Sequence, residues 1–315
     1  MKKPALPLET HPTYLPPLPG WVTQNHGKTL ELETFLAGAS LAMLHMLLAD
    51  PSDTLPTELL RTRLALRAAE ACLKLEGRRE SEADIRDAYY LARAGDALGP
   101  AGEMFDRWRR VGAIGLKQRD WLKRLKSCLP EPVAGELPEW IDTAMAGGAA
   151  AEGSPVAQAA KMVGLAMAAF PREEAAALIC GDVVLARALG WFHPVPLLGV
   201  HLKRRDLREI TVEVSHRAVA RSAQDAVRLS HDLARRAQRL RSVTPKLRAK
   251  GSGEAVALFL REDVVQPSAM LAPKIKGTSI PMTDRAARRL CDRLVDLGVV
   301  KELTGRSTFR LYGVA

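Results

Sequence analysis

Residues 283–313, TDRAARRLCDRLVDLGVVKELTGRSTFRLYG, change hydropathy period once along their length. Ala287, Leu290, Cys291, Leu294 and Leu297 recur every three or four positions, the period of a helix that buries one face. Thr283 stands where an N-cap hydroxyl belongs, and Gly298 where a helix stops. Beyond that glycine, 299–303 and 308–312 are rich in β-branched and aromatic residues. They flank Thr304-Gly305-Arg306-Ser307, which predicts a hairpin with an arginine at its tip. Upstream, the pattern predicts a helix over 254–261 and a short one over 267–272. Three helices followed by two strands is the winged-helix order. The connection at 273–282 is longer than the usual three- or four-residue turn and predicts a displaced second helix.

The outward face of the third helix is basic. Arg285, Arg289 and Arg293 stand at i, i+4 and i+8 with Arg288 beside them, while Asp292 and Asp296 lie toward the C-terminal half. In a winged helix this polarity puts the arginines at the end that enters the major groove, where a guanidinium pairs with guanine O6 and N7. The positive end of the helix dipole then faces phosphate. Arg306 at the tip, with Lys301 and Arg310 in the strands, completes the candidate DNA-binding set.

Toward the N-terminus, 242–253 carries Pro245, Lys246, Arg248, Lys250 and Gly251-Ser252-Gly253, which reads as a short basic linker. Before it, 214–241 predicts one long amphipathic helix. Val219, Ala223, Ala226, Leu229, Leu233, Ala237 and Leu240 share its apolar face. Arg217, Arg221, Arg228, Arg235 and Arg239 fall within an arc of about 40° at roughly 100° per residue. The ridge has two readings: a track of phosphate contacts, or a solvated face laced by pairs such as Arg221/Asp225 and Arg228/Asp232.

Residues 27–200 read as helix after helix, without the strict alternation of a half-buried strand. Helices are predicted over 55–75, 81–95, 138–146, 155–170 and 171–189. Another opens at Gly99-Pro100 and runs through Leu125, its continuity weakened by Gly112 and Gly115. The longest apolar run, 34–49, is shorter than the ~20 residues of a spanning helix and predicts a buried core helix. Residues 1–26 are proline-rich and aperiodic. The chain thus divides into an arm (1–26), an all-helical body (27–200), a basic amphipathic helix with its linker (201–250) and a winged-helix domain with a β-hairpin wing (251–315), a mainly α fold.

The composition, 47% hydrophobic and 26% charged, is that of an ordinary globular chain and excludes a disordered or collagenous one. Charge is distributed unevenly. Residues 201–315 hold 24 Lys/Arg against 12 Asp/Glu, whereas 1–200 hold 22 against 24. A basic third on a near-neutral body points to a polyanionic partner, nucleic acid ahead of an anionic membrane surface. Double-stranded DNA is the expected partner, no membrane partner is expected, and a homodimer is left open. The N-terminus lacks the apolar core of a secretory signal, so a cytoplasmic location is expected.

Cys72, Cys128, Cys180 and Cys291 lie 52 or more positions apart and read as buried thiols, while His193, His201 and His216 are scattered over 24 positions. No metal or cofactor is predicted. The sequence has no P-loop, GxSxG, HExxH or EF-hand pattern, and the Gly251/Gly253 pair lacks the preceding strand and third glycine of a dinucleotide fingerprint. Asp84/Asp87 at i, i+3 reads as a solvated edge. No catalytic residue is assigned, and the chain is not expected to be an enzyme.

The run 285–313 resembles the C-terminal winged helix of Fic-family proteins and of uncharacterised bacterial domain-of-unknown-function families. The stretch 190–208, GWFHPVPLLGVHLKRRDLR, resembles one such family over most of its length. The resemblance implies a bacterial protein with a helical body, and DNA binding by analogy alone. Fic chemistry is not implied, because His193-Pro194 is followed by Val195-Pro196-Leu197-Leu198 in place of a glycine-rich anion-binding turn. The reading favours a DNA-binding transcriptional regulator or mobile-element accessory factor. The alternative is an interaction scaffold, or an enzyme without a recognisable motif, whose winged helix docks a partner.

Overall fold

Two long helices, α2 (Leu30–Ala49) and α12 (Val212–Val243), lie along one another and form the most extensive helix pair of the molecule. Each begins on a threonine: Thr29 accepts from the Leu32 N–H at 3.4 Å and Thr211 from the Val214 N–H at 3.2 Å. The computed structural model describes residues 17–24, 29–93, 95–146, 153–306 and 309–315. Most of the proline-rich arm lies outside the described residues. Within it, 20–24 form a short helix α1 (Gly20–Gln24) whose Val22 is buried and whose carbonyl accepts from Gln224 on α12.

The chain is mainly helical, with a two-stranded hairpin at its C-terminal end. α3 (Thr57–Leu75) packs on α5 (Gly99–Gly112), and α4 (Glu82–Tyr90) rests on both. α4 starts with a reciprocal capping box between Ser81 and Asp84. α6 (Trp121–Lys126) and α7 (Glu131–Met145) lead to α8 (Pro155–Ala169) and α9 (Glu174–Ala188). α9 is buried continuously from Ala175 to Ala186, as an all-round apolar helix must be. The short α10 (Leu198–His201) and α11 (Arg204–Arg208) return the chain to α12. Beyond it come α13 (Ser252–Phe259), a π-helical turn at Pro267–Leu271, α14 (Asp284–Asp296), β1 (Val300–Glu302) and β2 (Tyr312–Val314). The strands pair antiparallel, Val300 opposite Val314 and Glu302 opposite Tyr312. Val265 adds a bridge to Tyr312 through N–H···O bonds of 2.7 and 3.0 Å.

Several elements differ from their sequence expectation. The helix expected through Leu125 stops at Gly112, and 113–120 form a loop. There the Ile114 carbonyl bonds the His193 ring and the Leu116 N–H donates to the Phe192 carbonyl. The helix expected over 81–95 ends at Tyr90; further on, the Arg93 N–H donates to Asp96. α7 begins seven residues before Pro138 and carries that proline inside, because Val133, Leu137, Trp140, Ile141 and Ala144 bury one common face. α2 spans 20 residues where the sequence showed an apolar run of 16, and so reaches membrane-spanning length. Its Leu36, Ala37, Leu41, Leu44 and Leu47 are buried. The second strand lies at 312–314 and not 308–312, since the Glu302 carboxylate gathers the N–H groups of Thr304 and Gly305 and lengthens the turn. Ser307 and Thr308 lie outside the described residues. The long 273–282 connection folds as a tight return, with Lys274 bridged to Pro281 and the Ile275 N–H bonded to Ile280.

Candidate nucleic-acid interface

Burial of Ala287, Leu290, Cys291 and Leu294 fixes the rotation of α14 and leaves two columns of charge side by side on its outer surface. One column is Asp284, Arg288 and Asp292, in which Arg288 and Asp284 form an ion pair of 2.8 Å. The other is Arg285, Arg289 and Arg293, all exposed. This second column faces residues 246–249 across an open groove of about 620 Å³, where Lys246 and Arg248 also line the wall. Leu247, Ala249, Ala286 and Leu290 supply its apolar lining. Thr283, the N-cap of α14, closes one end and accepts from the Ala286 N–H at 3.3 Å. Among the described residues no carboxylate lines the groove and no ion pair involves its five cations. Like charges gathered without a counter-charge raise the local positive potential toward an incoming polyanion.

The other expected DNA contacts are placed elsewhere. Arg288 and Arg310 line a separate hollow on the opposite flank with Asp292, Phe309 and Tyr312, and Arg310 approaches Asp292 to 3.9 Å. Lys301 is exposed on β1. Arg306, the expected wing-tip arginine, reaches across to Asp87 on α4 at 3.0 Å, so Asp87 is an ion-pair partner and Asp84 a helix cap rather than a solvated pair.

Along α12 the arginine ridge is largely engaged. Arg217 bonds Glu33 on α2 at 2.9 Å and Glu213 at 2.6 Å. Arg228 pairs with Asp225, Arg235 pairs with Asp232, and Arg239 donates to the Gly298 carbonyl. The partners differ from the expected Arg221/Asp225 and Arg228/Asp232 pairs because each aspartate closes on the arginine three positions later. Asp225 also takes His201 at 2.8 Å, which leaves Arg221 exposed. The carboxyl of Asp225 lies at about 2, held down by His201 and Arg228 against the upward push of its burial.

The C-terminal module is fastened to the body by its own acidic residues. Asp263 is fully buried between Arg63 on α3 and Arg86 on α4, the latter at 2.8 Å. Glu262 takes Arg109 at 3.4 Å and Lys276 at 2.9 Å. Sequence reasoning missed these clasps, and it read Lys246 and Arg248 as linker residues only. Three cations within 246–250 were the available signal, but nothing local places them opposite α14.

The three histidines do not converge. His193 bonds the Ile114 carbonyl, His201 bonds Asp225, and His216 bonds the Ser154 hydroxyl. All four cysteines are buried and free, and burial pushes the thiols of Cys72, Cys180 and Cys291 up to about 12.

A family model described as "Protein of unknown function (DUF1403)" matches residues 8–314, and the chain belongs to that family. This bears out the family resemblance drawn from 190–208. No curated protein matches the chain.

Proposed function

We propose that this member of the family binds double-stranded DNA, as a transcriptional regulator or accessory factor, with the C-terminal module acting as a winged helix and α14 as its recognition helix. The observation that carries the reading is the groove of five cations, Lys246, Arg248, Arg285, Arg289 and Arg293, that form no ion pair among the described residues and have no carboxylate among the described residues of the lining. The order of elements supports it: α13, an extended Val265 bridged to the last strand, a helical turn, α14, then the hairpin. So does the clasp at Asp263, which ties the module to the body through an acidic residue while Arg285, Arg289 and Arg293 stay exposed.

The test is fluorescence anisotropy of labelled duplexes with the full chain over a salt series. Five phosphate contacts give a slope of about −4.5 in log affinity per decade of salt. Replacing Arg285, Arg289 and Arg293 together by alanine removes binding and leaves the thermal transition in place. Binding without salt dependence, or binding unchanged in the triple variant, overturns the reading.

A further inference from the structure

The segment Gly190–Val195, which sequence analysis singled out and DNA binding leaves unexplained, forms the wall of a cavity on the helical body. Trp191, Phe192 and His193 face α2 and α3 across a space of about 340 Å³, a size that suits a small organic ligand. The cavity is held open by bonds already in place. The Trp191 indole N–H donates to His45 Nδ1 at 2.9 Å, the His193 ring bonds the Ile114 carbonyl at 3.1 Å, and the Leu116 N–H donates to the Phe192 carbonyl at 2.8 Å. Gly115 permits this crossing, since a Cβ there would stand 3.0 Å from the Phe192 ring and 2.8 Å from Gln118. Just beyond, the buried Asp182 carboxylate accepts from the N–H groups of Leu197 and Leu198 at 3.0 and 2.9 Å and anchors the far end of the segment.

The lining is chemically divided. Leu48, Ala49, Trp191, Phe192 and Val195 give apolar surface, while Arg61 on α3 and Lys117 bring two positive charges. Among the described residues no carboxylate lines the cavity. Arg61 is half-buried and forms no ion pair or hydrogen bond among the described contacts. Glu58, three positions earlier on the same helix, acts on it electrostatically, and both line the adjoining hollow. A partly desolvated guanidinium with no ion-pair partner among the described contacts, beside exposed aromatic carbon, is a setting for an anionic group on an apolar body.

We propose that this cavity binds a small apolar carboxylate, its charged end held by Arg61 and Lys117 and its hydrocarbon part against Leu48, Trp191 and Phe192. The assignment stands independently of DNA binding. It is tested by isothermal titration of the full chain with benzoate, phenylacetate and hexanoate, beside their uncharged amides and inorganic phosphate. At least one acid binds, its amide binds about tenfold or more weakly, and Lys117→Ala and Arg61→Ala each reduce affinity about tenfold with an unchanged circular dichroism melt. Lys117 is exposed, so its variant keeps the test open if Arg61→Ala fails to fold. The proposal is overturned by failure of all three acids at millimolar concentration, by phosphate competing as well as they do, or by wild-type affinity in Lys117→Ala.

Discussion

Along α12, Arg217, Arg228 and Arg235 close ion pairs with Glu33 and Glu213, with Asp225 and with Asp232. Along α14, Arg285, Arg289 and Arg293 close none among the described contacts, although the same residue type recurs at helical spacing on both. The difference lies in the neighbours. Each engaged arginine of α12 has a carboxylate three or four positions before it on the same face, and α2 supplies another from across the helix pair. On α14 the acidic residues share the adjacent column with Arg288, Asp292 and Asp296 come three positions after Arg289 and Arg293 rather than before them, and the facing segment brings Lys246 and Arg248 instead. An arginine row is therefore not a function in itself; what stands opposite it decides whether it holds the fold together or waits for a partner.

Burial extends the comparison to a third setting, and the largest effect is expected there. Asp263→Ala leaves Arg63 and Arg86 facing each other without their buried counter-charge and lowers stability by about 3–5 kcal/mol in urea unfolding. A loss no greater than that of a surface pair would erase the distinction between the seam and the α12 ridge.

Asp182 sharpens the contrast from the opposite side, being as buried as Asp263 but bonded to backbone N–H groups and, among the described residues, to no cation. Burial pushes its carboxyl from 3.8 up to about 7. The folded chain then keeps a proton that the unfolded chain, with an ordinary aspartate near ~3.9, releases. Stability therefore falls as pH rises from about 4 to about 7, by up to roughly 4 kcal/mol, and levels off above. Asp182→Asn flattens that slope in chemical denaturation at stepped pH; an unaltered slope would assign the proton elsewhere.

Next in size are the free arginines. Arg285→Ala and Arg289→Ala each weaken specific DNA binding by about 1–3 kcal/mol while the melting temperature stays put. A drop in melting temperature with retained binding would move the α14 row into the structural class. The smallest effects belong to the paired surface row, where Arg228→Ala and Arg235→Ala change stability by about 0–1 kcal/mol and leave DNA affinity within about twofold. A large loss of DNA affinity from either would make the α12 ridge a second phosphate track.

How much of this could be read beforehand follows from distance along the chain. The capping of α14 by Thr283, the Ser81/Asp84 start of α4, the apolar face of α12 and the two charge columns of α14 all rest on relations within four positions, which propensity and periodicity report directly. The helix break at 113–120 was hinted at by Gly112 and Gly115, but its cause, the bonds to Phe192 and His193, spans nearly eighty positions.

The sequence by itself determined that the chain is mainly helical, that its last third is basic, and that α14 sets Arg285, Arg289 and Arg293 in one row. Only the tertiary structure decided which cations are neutralised and which remain free. Arg86 meets Asp263 across 177 positions and Arg217 meets Glu33 across 184, and Lys246 and Arg248 come to face α14 through the course of the whole C-terminal module. Electrostatic partners are selected by proximity in space, and proximity at those separations exists only once the apolar faces have packed.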